Sequence, residues 1–225
     1  MRARAQLATD SASHTCRDAA HHAAAQARRA RDITLAHAAM QLVTLHPLGF
    51  AQLSLEGWRQ LPAPLASQLL ADFLTTISGR THRPRAHETA RLVAALQAHH
   101  ATATPLRRTL QHCEISAQGN TLTIAREAAR VAAPLTLQGR GCILWDRRFR
   151  VRYDLPAGQS LTLRALGHAG RKQLPAAATL PLATPSLWHL DAIAFVPHIG
   201  MHASAPRAVE VGFAKAKPLA GAPFW

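Results

Sequence analysis

From residue 16 to residue 45 the chain reads CRDAAHHAAAQARRARDITLAHAAMQLVTL, without a single glycine or proline. Alanine dominates the stretch, and nothing in it interrupts an i to i−4 hydrogen-bond ladder. One long helix is therefore expected, ended by HPLGF, where Pro47 and Gly49 stand close together. The start of the chain is thereby committed to helix.

A second helical signature follows a short alternating strand, FAQLSL. In LSLEGWRQLPAPLASQLLADFLTTISGR, Leu65, Leu69, Phe73 and Ile77 recur at i+4, which places them on one face of a single helix, and Gly79 serves as its C-cap. Pro84 suits the first turn of another helix, PRAHETARLVAALQAHH. The pattern then changes to strands. RRTLQHCEI and TLTIARE, joined through SAQGN, predict a β-hairpin turning at Gly119-Asn120. VAAPLTLQGRG reads as a linker, and beyond it lie CILWDRRFRVRYDL, the turn PAGQ, SLTLRALG, a polar stretch HAGRKQLP, PSLWHLDAIAFVPHIG and a last strand near AVEVGFA. The expected fold class is α+β: an N-terminal helical unit, a β-hairpin, and a strand-rich mixed αβ C-terminal domain. The division falls between 1–130 and 131–225, with no internal repeat.

Charge is the strongest global signal. Twenty-six Lys and Arg oppose 12 acids, a net of +14. Residues 1–50 are net +3, residues 51–130 net +4 and residues 131–225 net +7. Such a chain is drawn to polyanions, of which nucleic acid is the commonest. Only three of the cations are lysines, so the arginine and alanine excess also fits a GC-rich coding sequence. No apolar run approaches the ~20 residues of a membrane helix. MRARAQLATDSASH has no continuous apolar core of a signal peptide, so a cytoplasmic protein without membrane partners is expected.

Self-sufficient chemistry is missing. There is no GxxxxGK loop, no GxGxxG and no GxSxG elbow. Cys16, Cys113 and Cys142 are odd in number and far apart, which suggests neither a disulfide framework nor a zinc knuckle. Fourteen histidines invite a metal, yet the adjacent pairs His21-His22 and His99-His100 diverge on a helix, and HRPRAHE lacks the HExxH order. No carboxylate pair stands out for acid–base work. No catalytic residue, cofactor site or metal site is expected in this chain.

The arginines offer more. In WDRRFRVRY, read as a strand, Phe149, Val151 and Tyr153 point to one face, and Arg148, Arg150 and Arg152 to the other. Alternate strand residues lie roughly 6.6 Å apart, comparable to the phosphate repeat of a nucleic-acid strand, and arginine grips phosphate in bidentate fashion. GRTHRPR, with Arg83 and Arg85 after Arg80, and GRK, with Arg171 and Lys172, are further basic loops. The alternative is a solvated strand face. Trp58, Trp145, Tyr153 and Trp188 read as core or rim, with Asp146 capping a turn, so recognition would rest on backbone and shape, as with a structured RNA.

These pieces, in order, resemble the C-terminal portion of the bacterial tRNA(Ile)-lysidine synthase family: AHHAAAQARRARD, HPLGFAQLSL, LLADFLTTISGRTHRPR, TLQHCEISAQGNTLTIARE, ILWDRRFRV and PSLWHLDAIAFVPHIG. The resemblance runs over most of the chain and rests on the order and spacing of motifs that are individually weak. It implies a tRNA-modifying ligase that adenylates C2 of cytidine 34 in the isoleucine tRNA with a CAU anticodon, after which lysine displaces AMP. In that family ATP and magnesium belong to an N-terminal ATP-pyrophosphatase domain with an SGGxDS loop, which has no counterpart here. The resemblance thus implies a split, truncated or mis-started product. It would hold a linker helix and helical substrate-binding domain over 1–130 and a tRNA-binding domain over 131–225. Its tRNA contacts would be Arg148, Arg150, Arg152, Arg83, Arg85, Arg171 and Lys172, and activity would need a separately encoded N-terminal half. The competing readings are a stand-alone basic RNA-binding protein and an inert gene fragment.

Overall fold

The computed structural model describes residues 2–102, 105–175, 180–199 and 209–214. The first helix, α1, spans Arg2–Leu42, about 60 Å at the usual rise. It stops short of the expected end because Val43–His46 form strand β1, pairing antiparallel with β2 (Phe50–Ser54). β-Branched Val43 and Thr44 favour that exchange, since a branched side chain packs better on a pleated surface than in a helix. From residue 19 onward, Leu35, Ala38 and Ala39 are the buried residues of α1, and between residues 19 and 34 only Ala25 is even half-buried.

The β1–β2 turn holds Gly49 at φ +77°. A Cβ there would lie 2.5 Å from Cζ of Phe149. Gly49→Ala therefore combines a left-handed backbone with a clash against a packed ring, and about 2–5 kcal/mol of stability should be lost. Urea denaturation checks this; a change below about 1 kcal/mol would show that the ring yields freely.

The expected single helix after β2 is two. Helix α2 (Leu55–Arg59) and helix α3 (Ala63–Ser78) are separated at Pro62, whose missing N–H and restricted predecessor end one helix while its carbonyl accepts from Leu65 and Ala66 to open the next. Leu65, Leu69, Phe73 and Ile77 are all buried, and Gly79 terminates α3 in the left-handed region at φ +66°. Pro84 precedes α4 (Ala86–Thr102) by two residues rather than sitting in its first turn. Glu88 instead accepts the Arg85 N–H at 3.0 Å, satisfying one free donor at the helix start.

Strands β3 (Leu106–Leu110), β4 (Cys113–Gln118) and β5 (Thr121–Arg126) complete a five-stranded antiparallel sheet in the order β1-β2-β5-β4-β3. The β4–β5 hairpin turns at Gly119-Asn120 as its sequence indicates. RRTLQHCEI, however, is not one strand. It reverses at Gln111-His112, both at positive φ, a conformation those residue types do not advertise. Helix α3 packs on this sheet through a core of Trp58, Phe73, Leu74, Ile115 and Leu122.

The segment read as a linker contains strand β6 (Leu135–Gln138). It joins β9 (Ser160–Ala165), β10 (Pro185–His189) and β11 (Ala192–Phe195) in a sheet of order β11-β10-β9-β6. Strands β7 (Arg140–Trp145), β8 (Phe149–Asp154) and β12 (Val209–Phe213) form another, in the order β12-β8-β7. Between the two lie Trp145, Phe149, Val151, Leu163, Leu187 and Val211. The polar stretch after β9 carries one helical turn, α5 (Gly167–Arg171). A third cluster joins Leu48, Phe50 and Ala125 of the first half to Leu166, Trp188 and Val196 of the second. The fold is α+β, a long N-terminal helix followed by antiparallel sheets with shorter helices set between their strands.

Candidate nucleic-acid interface

The arginine ladder is shorter than its sequence suggests. Residues 146–148 form the β7–β8 turn, so Arg148 precedes the strand and does not share its outer face. It is 1% exposed. Its Nε and Nη2 donate to Asp146 Oδ2 at 2.8 and 2.6 Å, and its Nη1 donates to the carbonyls of Gly49 and Ile77 at 3.2 and 3.1 Å. Burial pulls the guanidinium below its ordinary pKa, and Asp146 beside it pulls the other way. Asp146 also accepts the Ala132 N–H at 3.0 Å. Arg148 is a structural pin, and the expectation that it docks phosphate is corrected.

Arg150 and Arg152 do face outward, opposite Phe149 and Val151. Their surroundings blunt the charge. Arg152 pairs with Glu210 of β12 at 3.5 Å, and Arg140 pairs with Asp154 at 3.9 Å. Three arginines thus oppose two carboxylates on this face, a net of +1. Arg150 lies opposite Gly212 and Leu144 and has no ion pair among the described residues.

The other expected contacts are separate. Arg83 is exposed, but its Nε donates to nearly buried Asp72 at 2.5 Å. Arg85 stands at the start of α4, exposed. Arg171 ends α5 with its Nη2 donating to the Leu180 carbonyl, and Lys172 follows it, exposed.

A more concentrated cationic site was not legible as such. A crevice of about 550 Å³ opens between the end of α3 and the β7–β8 turn, and Arg80, His112, Arg126, Arg130, Asp146 and Arg147 line it. Gly79 releases the chain from α3 and sets Arg80 on the rim; a Cβ at Gly79 would lie 2.8 Å from Cγ of Arg148. The left-handed pairs Gln111-His112 and Asp146-Arg147 present His112 and Arg147 at hairpin tips. Arg126 is the fixed wall: its Nη1 donates to the Ser78 carbonyl, its Nη2 donates to the Arg130 carbonyl at 2.6 Å, and it lies 3.6 Å from Asp146. Its buried Nε finds no acceptor among the described residues. Arg80 Nη1 donates to His112 Nε2 at 2.9 Å.

Four arginines therefore oppose one carboxylate in the lining, a net of +3, and that carboxylate is already engaged by Arg148. Counting Glu127, which pairs with Arg130 at 3.9 Å, brings the crevice to +2, still above the +1 of the β8 face, so the crevice holds an anion better. His112 is held below its ordinary pKa by burial first, then by Arg80, Arg126 and Arg130, with Glu127 opposing. Cys113, the next residue, lies behind the crevice with its thiol pushed up to about 12 by burial, so it is no nucleophile at neutral pH.

Among the described residues no cluster of three or more His, Cys, Asp or Glu side chains is placed to hold a metal ion, and no helix is long and apolar enough to cross a membrane. Arg80 was visible in GRTHRPR. The other members come from segments far apart in the chain, and the hairpin turns that bring two of them in carry no turn signature. Compared with known proteins, the chain matches no family model and no curated protein.

Proposed function

We propose that this chain is a tRNA-binding module of the cytoplasm, equivalent to the C-terminal portion of a tRNA(Ile)-lysidine synthase. The observation that carries the RNA reading is the crevice, where the fold gathers four arginines around one already committed carboxylate. The ordered motifs from AHHAAAQARRARD to VPHIG support the family assignment. On this reading the chain positions tRNA by its backbone, with Arg150, Arg152, Arg85 and Lys172 as peripheral phosphate contacts. The ATP-dependent joining of lysine to cytidine 34 belongs to an ATP-pyrophosphatase domain outside this sequence, which brings ATP and magnesium.

The test is binding of the purified chain to the isoleucine tRNA with a CAU anticodon and to an unrelated tRNA across a salt series. The expected result is a preference for the former that persists near physiological salt. Equal, steeply salt-dependent binding to both would reduce the function to that of a basic RNA-binding protein acting through its net charge of +14. No binding to either would remove the RNA reading.

A further inference from the structure

We propose that the crevice is a binding site for a single phosphate group, held by Arg80, Arg130 and Arg147, in which His112 changes from hydrogen-bond acceptor to donor as the anion enters. The site deepens the RNA-binding reading, on which it rests for the source of the phosphate.

The roles follow from what each group already does. Both Nη atoms of Arg126 are engaged by backbone carbonyls, so this residue supplies charge and shape rather than a mobile ligand. Arg147 is exposed and has no ion pair among the described residues, and Arg130 meets Glu127 only at 3.9 Å. Both have N–H groups to offer, and a guanidinium fork matches two oxygens of a tetrahedral oxyanion.

Arg80 is the group that links the anion to His112. Its Nη1 donates to His112 Nε2, so in the free protein that nitrogen carries a lone pair and the imidazole is neutral, with its proton on Nδ1. Protonating His112 in that state would remove the acceptor and set a second cation 2.9 Å from the Arg80 guanidinium. The charged groups facing His112 are Arg80, Arg126 and Arg130, which disfavour the proton, and Glu127, which favours it; Asp146 and Arg147 line the same crevice.

A phosphate group inverts this balance. Arg80 turns to the anion, Nε2 is released, and the negative charge favours an imidazolium that donates to a phosphate oxygen. Between the free-state and bound-state pKa values of His112, binding therefore takes up a proton.

The sign follows from linkage. His112 has a lower pKa in the free protein than in the complex, so affinity rises as pH falls from the bound-state pKa to the free-state pKa and is flat outside that window. Each unit by which the anion raises the pKa strengthens binding about tenfold.

The experiment uses the full chain and two probes, the isoleucine tRNA and sulfate, a tetrahedral oxyanion that does not itself titrate near neutrality. Wild type, His112→Gln, Arg147→Ala and Arg91→Ala are compared. Glutamine can still accept from Arg80 but cannot titrate. Arg91 is an exposed residue of α4 that does not line the crevice, so its variant reports the loss of one charge alone.

Wild type should bind tRNA about tenfold more tightly near pH 6 than near pH 8, and His112→Gln should lose that dependence on His112 while binding like wild type at the higher pH. Arg147→Ala should lower the slope of log affinity against log salt by about 0.7–0.9, well beyond the effect of Arg91→Ala. Sulfate should raise the pKa of the His112 imidazole followed by NMR.

An unchanged pH dependence in His112→Gln, an Arg147→Ala variant equivalent to Arg91→Ala and no response to sulfate would overturn the site while leaving RNA binding intact. A sulfate response without tRNA binding would uphold the phosphate site and overturn the RNA reading instead.

Discussion

Arg148→Ala should lower the stability of the folded protein by about 3–5 kcal/mol, the range for removing one partner of a buried ion pair. The loss has three physical sources. Asp146 keeps only Arg126 as a cationic neighbour, at 3.6 Å. The carbonyls of Gly49 and Ile77 lose the donor they share. A void opens beneath Gly79, whose close approach depends on the arginine's alkyl stem. Those groups belong to the β1–β2 turn, the end of α3 and the β7–β8 turn, so a single side chain ties both halves of the molecule together. Arg148→Lys should recover little, because an ammonium has no planar fork to reach a carboxylate and two carbonyls together. Urea denaturation is the measurement, with Arg150→Ala on the exposed face as reference, expected within about 0.5 kcal/mol of wild type. A cost for Arg148→Ala as small as that of Arg150→Ala would show that Arg148 holds nothing together.

Trp188→Ala should cost a similar amount, about 3–5 kcal/mol. The indole is 1% exposed in the cluster that joins the two halves, alongside Leu48, Phe50 and Ala125. Its Nε1–H donates to Ser186 Oγ at 2.7 Å, and the Arg164 guanidinium lies 3.7 Å from the ring centroid. Alanine leaves a cavity, removes the donor to Ser186 Oγ, which keeps its own bond to the Arg164 carbonyl, and leaves a guanidinium without its aromatic face. Trp188→Phe keeps most of the volume and should fall between wild type and alanine. Equal losses for the two variants, followed by thermal unfolding, would place the energy in the hydrogen bond rather than in packing.

Periodicity and caps carried much of the architecture. The i+4 row from Leu65 to Ile77 and the Gly79 cap describe α3 as found, because a buried face and a left-handed stop each demand particular residue types. The Gly119-Asn120 hairpin was legible for the same reason. Legibility failed where tertiary pairing overrode local preference. Val43–His46 left a helix for a strand, and Leu135–Gln138 became a strand in a segment that reads as a linker. Period-two alternation in WDRRFRVRY placed Arg150 and Arg152 on the outer face, where they are found, but it assumed the strand began before Arg148. One residue of turn placed that side chain in the interior. The crevice was hidden for a related reason: its arginines share no periodicity and meet only through the turns at Gln111-His112 and Asp146-Arg147.

Helix α1 holds its two parts on different thermodynamic footings. From Leu35 onward its hydrogen bonds are backed by buried side chains and open only at a cost approaching that of unfolding the core. Between residues 19 and 34 no side chain is buried and only Ala25 is half-buried, and a stretch of that length lies near the ~12–15 residues at which an isolated helix is marginal in water. Amide hydrogens along one continuous helix should therefore report two free energies, local helix–coil balance ahead of Leu35 and the global stability of the fold beyond it.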